Sequence, residues 1–466
     1  MEKSENIMGT KKVMPLLISM SVPPMISMLI QALYNIVDSM YVARVSEDAL
    51  TAVSIAFPLQ NLIIAVSCGF GIGLNACVAR ALGAKDEKEV TSAATHGFLL
   101  SGIHWLLFVF MGVFVTGPFL RGFTNNPQVY KMSCEYTQIV LCFSIGSMYH
   151  LYAEKLFQAT GSMILPMIFQ GVGAMLNIVL DPVFIFGWFG IPAMGVQGAA
   201  IATVASQIFA AVLSMVFFLK KCTSVRICLK GFRIKKCMLC KLYAVGIPSA
   251  IMMSLPSVLV AALNSVLAAF QATAIAVFGL YIKIQTFVYM PANGVIQGMR
   301  PIMSYNYGAG NKKRMKETLI ASLEAAGVIM AIGTVLFMAF PQSIMKLFDA
   351  NREMLSIGVP MLRMIAAGFL VSTVGCVLSG AFEALGMGVQ SLIVSLLRQL
   401  LIIIPLSMVL SRIWGIYGVW ITFPIAELAS AVIGCVLYRN FLQKTSSVTT
   451  VQVCIIVDRR TRKEHV

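Results

Sequence analysis

Long apolar stretches recur along almost the whole chain and are separated by short polar segments. About 20 apolar residues, at a rise of 1.5 Å each, are enough for a helix to cross the hydrocarbon core of a membrane. The pattern therefore predicts twelve membrane-spanning helices, named here span 1 to span 12: residues 15–42, 50–76, 91–117, 133–156, 164–187, 196–219, 242–268, 275–300, 317–340, 355–381, 388–411 and 414–440.

Composition supports an all-α polytopic membrane protein. Hydrophobic residues make up 58% of the chain and charged residues 12%, against roughly 25% charged in ordinary soluble domains. The mean hydropathy is +0.85. The first apolar run is long enough to span and lacks a small-residue cleavage pattern, so we expect no cleavable signal peptide.

The net charge of +16 is concentrated in a few connecting segments. Basic residues precede span 1, fill the connection between spans 6 and 7, follow span 8 and recur in the C-terminal tail. This distribution is typical of the positive-inside rule and predicts that both termini lie in the cytoplasm. A nucleic-acid surface would interleave basic and aromatic residues on a folded module, so we expect no nucleic-acid partner.

The basic connection also holds four of the eleven cysteines. Cys237 and Cys240 form a lone CxxC, accompanied by Cys222 and Cys228. A structural zinc site needs a second well-spaced pair of ligands, and the setting is rich in lysine without histidine. We therefore expect reduced thiols and no transition metal.

The two groups of six spans are related by an internal repeat. One offset of 225 residues aligns Pro23 with Pro248, Gln60 with Gln285, Gly69 with Gly294, Gly73 with Gly298, and Gly83-Ala84 with Gly308-Ala309. Because six is even, the repeats run parallel, as in carriers that open alternately to the two sides of the membrane. Pro23 and Pro248 can kink the first span of each half, which makes them hinge candidates.

The repeat divides the chain into lobes. We predict a cytoplasmic N-terminus at 1–14, an N-lobe at 15–219, a basic cytoplasmic linker at 220–241, a C-lobe at 242–441 and a disordered cytoplasmic tail at 442–466.

Span 1 carries a polar face inside an apolar helix. Gln31, Tyr34 and Asp38 fall at i, i+3 and i+7, with Asn35 beside them. A carboxylate at membrane depth costs at least roughly 2.5–3.5 kcal/mol and by default indicates an ion, proton or substrate path. The alternative is an acid at the helix end that reaches water.

Span 5 carries a second acid in the motif Asn177-x-x-x-Asp181-Pro182. The proline cannot donate a hydrogen bond to the carbonyl of Ile178. A carboxylate, an amide and a free carbonyl suit Na⁺, which prefers oxygen ligands. A proton suits the site equally, because burial favours the uncharged acid. The alternative is that Asp181-Pro182 ends the helix at the membrane surface.

The repeat indicates which lobe holds a coupling site. At the offset of 225, Asp38 corresponds to Leu263 and Asp181 to Leu406. The acidic pair therefore occurs in the first half only, and we expect any coupling ion to bind in the N-lobe.

The second half offers different charges. Lys283 and Arg398 lie within spans, where a cation pairs with an acid or binds an anionic group. Glu427 is a candidate ligand for a cationic substrate or the counter-charge of Arg398. Glu383 follows span 10, and Glu154-Lys155 ends span 4; we expect both at the cytoplasmic mouth, in contact with solvent.

Together these motifs resemble the multidrug and toxic compound extrusion (MATE) family. The resemblance rests on Pro23, Asn35 and Asp38, on Gly83-Ala84-Lys85 and Gly308-Ala309-Gly310-Asn311, and on Asn177-x-x-x-Asp181-Pro182. It extends over roughly residues 10–442 and is closest to the MepA-like and DinF-like members. It implies twelve helices in two lobes, arranged as a V about a central cavity.

The resemblance also implies site residues. In the DinF-like members the coupling cation is held by residues that match Asp38, Asn177, Asp181 and Thr203 here. NorM-like members use acids in spans 7 and 10, where this chain offers only Asn264 and the late Glu383. That departure agrees with an N-lobe site.

The implied activity is export of cationic amphipathic drugs in exchange for Na⁺ or H⁺, by a monomer in the plasma membrane with no other cofactor. Gln31, Tyr34, Asn35, Asn264, Lys283, Arg398 and Glu427 are candidates for the substrate cavity. The alternative within the superfamily is a lipid-linked oligosaccharide flippase, for which Lys283 and Arg398 would bind pyrophosphate. No zinc-protease motif or serine–histidine pattern indicates an enzyme, and the duplication favours a carrier over a channel.

Overall fold

The computed structural model describes residues 6–222 and 224–461, with side chains as far as Lys444, and the described chain is helical without strands. The spans are Val13–Ala43, Glu47–Gly83, Glu87–Phe114, Pro127–Cys142 with Ile145–Ala159, Ile164–Phe186, Val196–Lys221, Lys236–Leu267, Ala272–Gly308, Lys312–Ala339, Arg352–Ala366 with Phe369–Ala384, Gly388–Leu396 with Leu397–Leu401 and Ile403–Trp414, and Ile416–Thr461. Short helices lie at Ile7–Thr10, Thr116–Arg121, Trp188–Gly190 and Pro341–Lys346.

Two of the predicted spans are interrupted. Within the described residues, ten helices are long and apolar enough to cross a membrane. An eleventh crossing comes from span 10, whose two halves meet at 53°. Span 4 is likewise made of two helices, and its first half carries Lys131 and Glu135, an exposed i,i+4 pair. The twelve-helix architecture is confirmed, with spans 4 and 10 broken at equivalent places.

The repeat is visible in how the helices begin. Asp86 caps span 3 by accepting a hydrogen bond from the backbone N–H of Glu89 at 2.9 Å. One repeat later, Asn311 caps span 9 through the N–H of Arg314 at 3.1 Å. A short polar side chain at this position satisfies a backbone N–H that the first helical turn leaves free.

The two lobes meet through their first two spans. Span 2 packs along span 7, and span 1 packs along span 8, so each lobe inserts its leading helices against the other. The largest apolar core belongs to the second half of the chain, yet it includes Leu16, Leu17 and Met20 of span 1. Of two smaller cores, one lies within the first half and the other joins the first half to Met238 and Leu242 of span 7.

Glycines make this contact possible. A Cβ atom at Gly69 would lie 2.5 Å from the backbone nitrogen of Ala250 in span 7. At Gly83 and Gly308 it would overlap a carbonyl oxygen of the other lobe. Gly69 with Gly73, and Gly294 with Gly298, each form a GxxxG pair, a pattern that allows close helix packing. In the structure the helices packed at these glycines belong to different lobes. All these contacts lie towards the ends of the spans that adjoin the basic linker and the basic residues after span 8. These are called the basic ends of the two lobes.

The outer segments differ in length from the sequence prediction. Span 6 ends at Lys221 and span 7 begins at Lys236, so the linker between helices is 222–235. Span 12 continues as helix to Thr461, within the segment that the sequence predicts to be disordered; residues 462–466 lie outside the described part.

Candidate functional site

Span 5 does not end at the Asp181-Pro182 step. The helix continues through Pro182 to Phe186 and is ended by Gly187, whose φ of 79° favours glycine. Asp181 is 0% exposed. The alternative that Asp181 marks a helix end at the membrane surface is therefore wrong.

The neighbours of Asp181 form a small polar cluster. The amide of Asn177 donates to Asp181 Oδ1 at 3.3 Å and faces Thr203 Oγ1 at 3.5 Å. Asn177 and Thr203 are each 1% exposed. Thr203 comes from span 6 and lies here because spans 5 and 6 pack closely. The structure thus brings Thr203 to Asn177.

Span 1 adds Asp38 to this cluster. Asp38 lies within electrostatic reach of Asp181, and the helix continues past it to Ala43. The oxygens Asp38 Oδ1, Asp181 Oδ2 and Asn177 Oδ1 are buried without a hydrogen-bond partner from the described residues. Buried polar atoms are normally satisfied. Three unsatisfied oxygens, two of them on the acids themselves, form an arrangement able to accept a cation or protons.

Three aromatic and amide side chains border the acids. The hydroxyl of Tyr34 interacts with Thr203, and its ring lies near both acids. Tyr136 of span 4 lies near the same acids and interacts with Gln60 of span 2. Sequence reasoning missed Tyr136 and Gln60 as site residues. The signal in the sequence was that Gln60 is a strongly polar residue inside an apolar span.

The other cavity candidates are dispersed. Gln31 is half-buried and Asn35 is exposed, so Asn35 is not part of the buried cluster. In the C-lobe, Asn264 is half-buried with Oδ1 unsatisfied among the described residues, and Lys283 is exposed. Pro23 and Pro248 are buried inside continuous helices that begin at Val13 and Lys236.

Arg398 and Glu427 form an ion pair within the C-lobe. Arg398 Nε lies 3.1 Å from Glu427 Oε1. The guanidinium also contacts Cys376 Sγ and lies 5.5 Å from the ring centre of Tyr289. Arg398 sits in a π-helical turn, Leu397–Leu401, a distortion often found at functional sites. The structure favours Glu427 as the counter-charge of Arg398.

We expect an Arg398→Gln variant to be less stable than the wild type by about 1–3 kcal/mol, because it leaves the half-buried carboxylate of Glu427 without its partner. The double variant Arg398→Met with Glu427→Leu should recover most of this loss. Thermal unfolding of the detergent-solubilised protein measures both. Equal stability of the wild type and Arg398→Gln would contradict the ion pair.

The charges at the ends of spans 4 and 10 are not solvated. Lys155 pairs with Glu154 at 2.8 Å and also donates to Gln158 at 3.2 Å. One repeat later, Glu383 pairs with Arg300 and accepts from Ser249 Oγ at 2.6 Å. Glu383 is only 3% exposed. The expectation of solvated charges is wrong, because span 2 packs over Lys155 through Gly71 and Asn75, and spans 7 and 8 supply the partners of Glu383.

Of the four cysteines in the basic connection, Cys222 and Cys228 lie in the linker, and Cys237 and Cys240 lie near the start of span 7. Cys228, Cys237 and Cys240 are exposed, and Cys222 is half-buried. Within the described residues, no group of three His, Cys, Asp or Glu side chains is placed to hold a metal ion.

Comparison with known proteins identifies the family. The sequence model of the MatE family matches residues 23–183 and 248–409. The two matched segments begin one repeat of 225 residues apart, in agreement with the internal duplication.

Curated relatives carry a functional name. The multidrug export protein MepA of Staphylococcus aureus strain MSSA476 is 26% identical over 420 residues, covering 88% of this chain and 90% of the relative. MepA of Staphylococcus saprophyticus is 25% identical over 416 residues with the same coverage.

Solved structures share the fold. A multidrug resistance MATE family transporter in an outward-facing conformation has a TM-score of 0.88 at 24% identity, covering 96% of this chain and 100% of that one. A MATE in the bent conformation has a TM-score of 0.86 at 26% identity, covering 94% and 100%. The family match covers more than half of the chain, and the chain belongs to the MatE family of membrane transporters.

Proposed function

We propose that this transporter exports cationic amphipathic drugs and couples export to the entry of Na⁺ or H⁺ at Asp38, Asn177, Asp181 and Thr203. The observation that carries the proposal is the buried acidic cluster of the N-lobe. Asp38 and Asp181 lie near each other, and each keeps a buried oxygen without a partner among the described residues. The relatives named MepA are multidrug export proteins, which supports the same activity here.

The chemistry of the cluster suits a hard cation or protons. Its ligand atoms are carboxylate, amide and hydroxyl oxygens, and the carbonyl of Ile178 lacks its usual donor because Pro182 has no N–H. Two buried acids without a counter-cation repel each other when both are ionised. Entry of a cation or of protons removes that repulsion.

Coupling follows from where the acids are attached. Asp38 is on span 1, which packs against spans 5 and 6 of its own lobe and against span 8 of the other. Span 8 contacts span 1 around Ser21 and Met25, nearer its N-terminal end than Asp38, so occupancy of the cluster acts on the lobe contact through the length of span 1. Pro23 is the hinge candidate, since it lies in span 1 between the cluster and the N-terminal end.

The proposal includes a path for the substrate and an orientation in the membrane. The substrate enters a cavity between the lobes from the cytoplasm and leaves on the opposite side of the plasma membrane. The basic linker and both termini lie in the cytoplasm, as the positive-inside rule predicts, and the protein acts as a monomer. Labelling of the exposed Cys228 with an impermeant maleimide, from each side in turn, tests this orientation.

The flippase alternative is weakened by the C-lobe. It requires cavity cations that can bind pyrophosphate, and Arg398 is engaged by Glu427 at 3.1 Å. Lys283 remains available as an exposed cation. The same efflux experiment separates the two functions.

We expect ethidium efflux from proteoliposomes to be driven by an imposed Na⁺ gradient, a pH gradient or both. The physical reason is that only a gradient of the coupling ion drives repeated filling and emptying of the acidic cluster. Fluorescence of ethidium measures efflux with each gradient alone, and liposomes without the protein are the control. Efflux that ignored both gradients would exclude coupling and favour the flippase.

A further inference from the structure

A cavity of about 300 Å³ lies where the basic ends of the two lobes meet. Span 2 contributes Cys77 and Arg80 to its wall, span 7 contributes Cys237, Lys241 and Ala244, and the loop after span 10 contributes Gly386. Because both lobes supply walls, the cavity exists only while these ends are in contact. It is separate from the acidic cluster, which belongs to the N-lobe.

The wall of the cavity is positively charged and otherwise small and apolar. Arg80 and Lys241 line it, and no acid does among the residues that the structure describes. The Arg80 guanidinium lies 5.2 Å from the ring centre of Tyr307, and its Nε is buried without a hydrogen-bond partner in the described chain. Lys241 pairs with Glu89 at the rim. Arg80 thus lines a partly open cavity as a cation that forms no ion pair with an acid among the residues that the structure describes.

The position that corresponds to this cavity in the other repeat is filled by protein. One repeat from Arg80 is Tyr305, and one repeat before Gly386 is Gly161. Between Tyr305 and Gly161 lies the short helix Ile7–Thr10. A Cβ atom at Gly161 would lie 3.5 Å from Met8 Cγ, and one at Gly9 would lie 3.2 Å from the ring of Tyr305. Met8 is 0% exposed, so its side chain fills this half.

The filled half is held by dedicated hydrogen bonds. Asn306 Nδ2 donates to the carbonyl of Met8 at 3.1 Å. Arg314 Nη2 donates to the same carbonyl at 3.1 Å and to that of Lys11 at 2.7 Å. The chain before span 1 is therefore fixed across the junction of the lobes.

The chain before span 7 takes a different course. The backbone N–H of Cys228 donates to Thr95 Oγ1 at 3.1 Å, and that of Lys235 donates to His96 Nε2 at 2.9 Å. Both acceptors are on span 3, so the linker is held against the N-lobe. Among the described linker residues, Val225 is buried in the core that also contains Cys77, and none lines the cavity beside Arg80, which stays open.

We propose that this cavity binds an amphiphilic anion, with its apolar chain in the place that Met8 occupies in the other half and its anionic group at Arg80. The apolar wall and the volume of about 300 Å³ favour a short acyl chain. The Arg80 guanidinium favours a carboxylate or phosphate, since Lys241 is already paired with Glu89. A free fatty acid anion and an anionic lipid share this chemistry.

Binding stabilises the arrangement that forms the site. A ligand that contacts both lobes shifts the population towards the state in which their basic ends are closed. The anion thus acts on conformation from the side opposite to drug release, at a site that contributes no residue to the acidic cluster. Binding of the anion is measured directly, without a transport assay.

The test uses the native thiols of the full-length protein in detergent. Cys237 and Cys240 line the cavity, whereas Cys228 is exposed outside it. We expect decanoate at ten times its Kd to slow alkylation of Cys237 and Cys240 by N-ethylmaleimide by about tenfold, because about one site in eleven stays free. Alkylation of Cys228, followed by mass spectrometry in the same sample, should not change.

Two variants and a matched control make the result specific. Arg80→Gln removes the cation, and Ala244→Met fills the cavity from an exposed position of span 7, so each should abolish protection by decanoate. Lys236→Gln removes an exposed cation that does not line the cavity and should leave protection intact. Ala244→Met keeps the test decisive if Arg80→Gln does not fold.

The source of the anion is distinguished by reconstitution. Protection in phosphatidylglycerol vesicles without decanoate, absent in phosphatidylcholine vesicles, assigns the site to a lipid. Protection that requires decanoate in both vesicles assigns it to a free anion. The proposal is overturned if neither anion protects the two cysteines, or if protection persists in both Arg80→Gln and Ala244→Met.

Discussion

An Asp181→Asn variant is expected to lose gradient-driven export while remaining folded. Asp181 is fully buried in span 5, and its Oδ2 has no partner among the described residues. The amide keeps the volume of the side chain and the contact with Asn177, but it cannot change charge when a cation binds or leaves. We expect ethidium efflux driven by either gradient to fall at least about tenfold, which corresponds to roughly 1.4 kcal/mol in the barrier to transport.

The partner acid and an exposed acid supply the controls. Asp38→Asn should give the same loss, and the double variant should be no worse than either single variant, because both acids act as one site. Glu317→Gln removes an exposed acid of span 9 and should export normally. Normal efflux by both Asp38→Asn and Asp181→Asn, under Na⁺ and pH gradients alike, would show that the cluster is not the coupling site.

A Gly83→Ala variant is expected to block closure of the lobes at their basic ends. A Cβ atom at Gly83 would overlap the carbonyl oxygen of Tyr305, and one at Gly308 would overlap that of Arg80. The two glycines are one repeat apart and pack against each other's helix. Alanine in a helix is otherwise favourable relative to glycine, so the effect must come from the contact. Overpacking of this kind costs about 1–3 kcal/mol.

Two measurements report this loss of closure. Ethidium efflux should fall in Gly83→Ala and in Gly308→Ala, because the transport cycle needs the closed state. Cys77, buried at the junction, should react faster with maleimide as the lobes separate. Gly327→Ala on span 9 adds the same methyl group where nothing lies within 4 Å, and it should behave as wild type. Unchanged Cys77 reactivity in both junction variants would refute the role of the glycines.

The repeat was readable because it is carried by local sequence. Glycines, prolines and helix caps act on the local backbone. The offset of 225 residues is therefore visible in Gly83 and Gly308 and in the caps Asp86 and Asn311. Asp38 and Asp181 were likewise visible as acids in apolar helices. Their departure from the repeat, at Leu263 and Leu406, already indicated the lobe in which a coupling site should lie.

Other features depended on side chains from distant helices. Glu383 looked like a solvated acid because the sequence does not show that Arg300 and Ser249 close over it. The sequence left open whether Arg398 pairs with an acid or binds an anionic group, and the structure places Glu427 at 3.1 Å from it. Tyr136 and Gln60 join the acidic cluster from spans 4 and 2, and neither position is close to the acids in sequence.

The sequence by itself determined the class of protein, the number and order of its spans, the duplication and the two acids, because apolar length, breakers and buried charge are properties of single helices. Only the tertiary structure decided that Asp181 lies inside its helix, that Thr203 contacts its neighbour Asn177, that the GxxxG glycines join the two lobes, and that Met8 fills one junction while the other stays open. These outcomes depend on which helices touch and at what height. Each contact is made between residues far apart in the chain, and the residue pattern of one helix does not show which other helix packs against it.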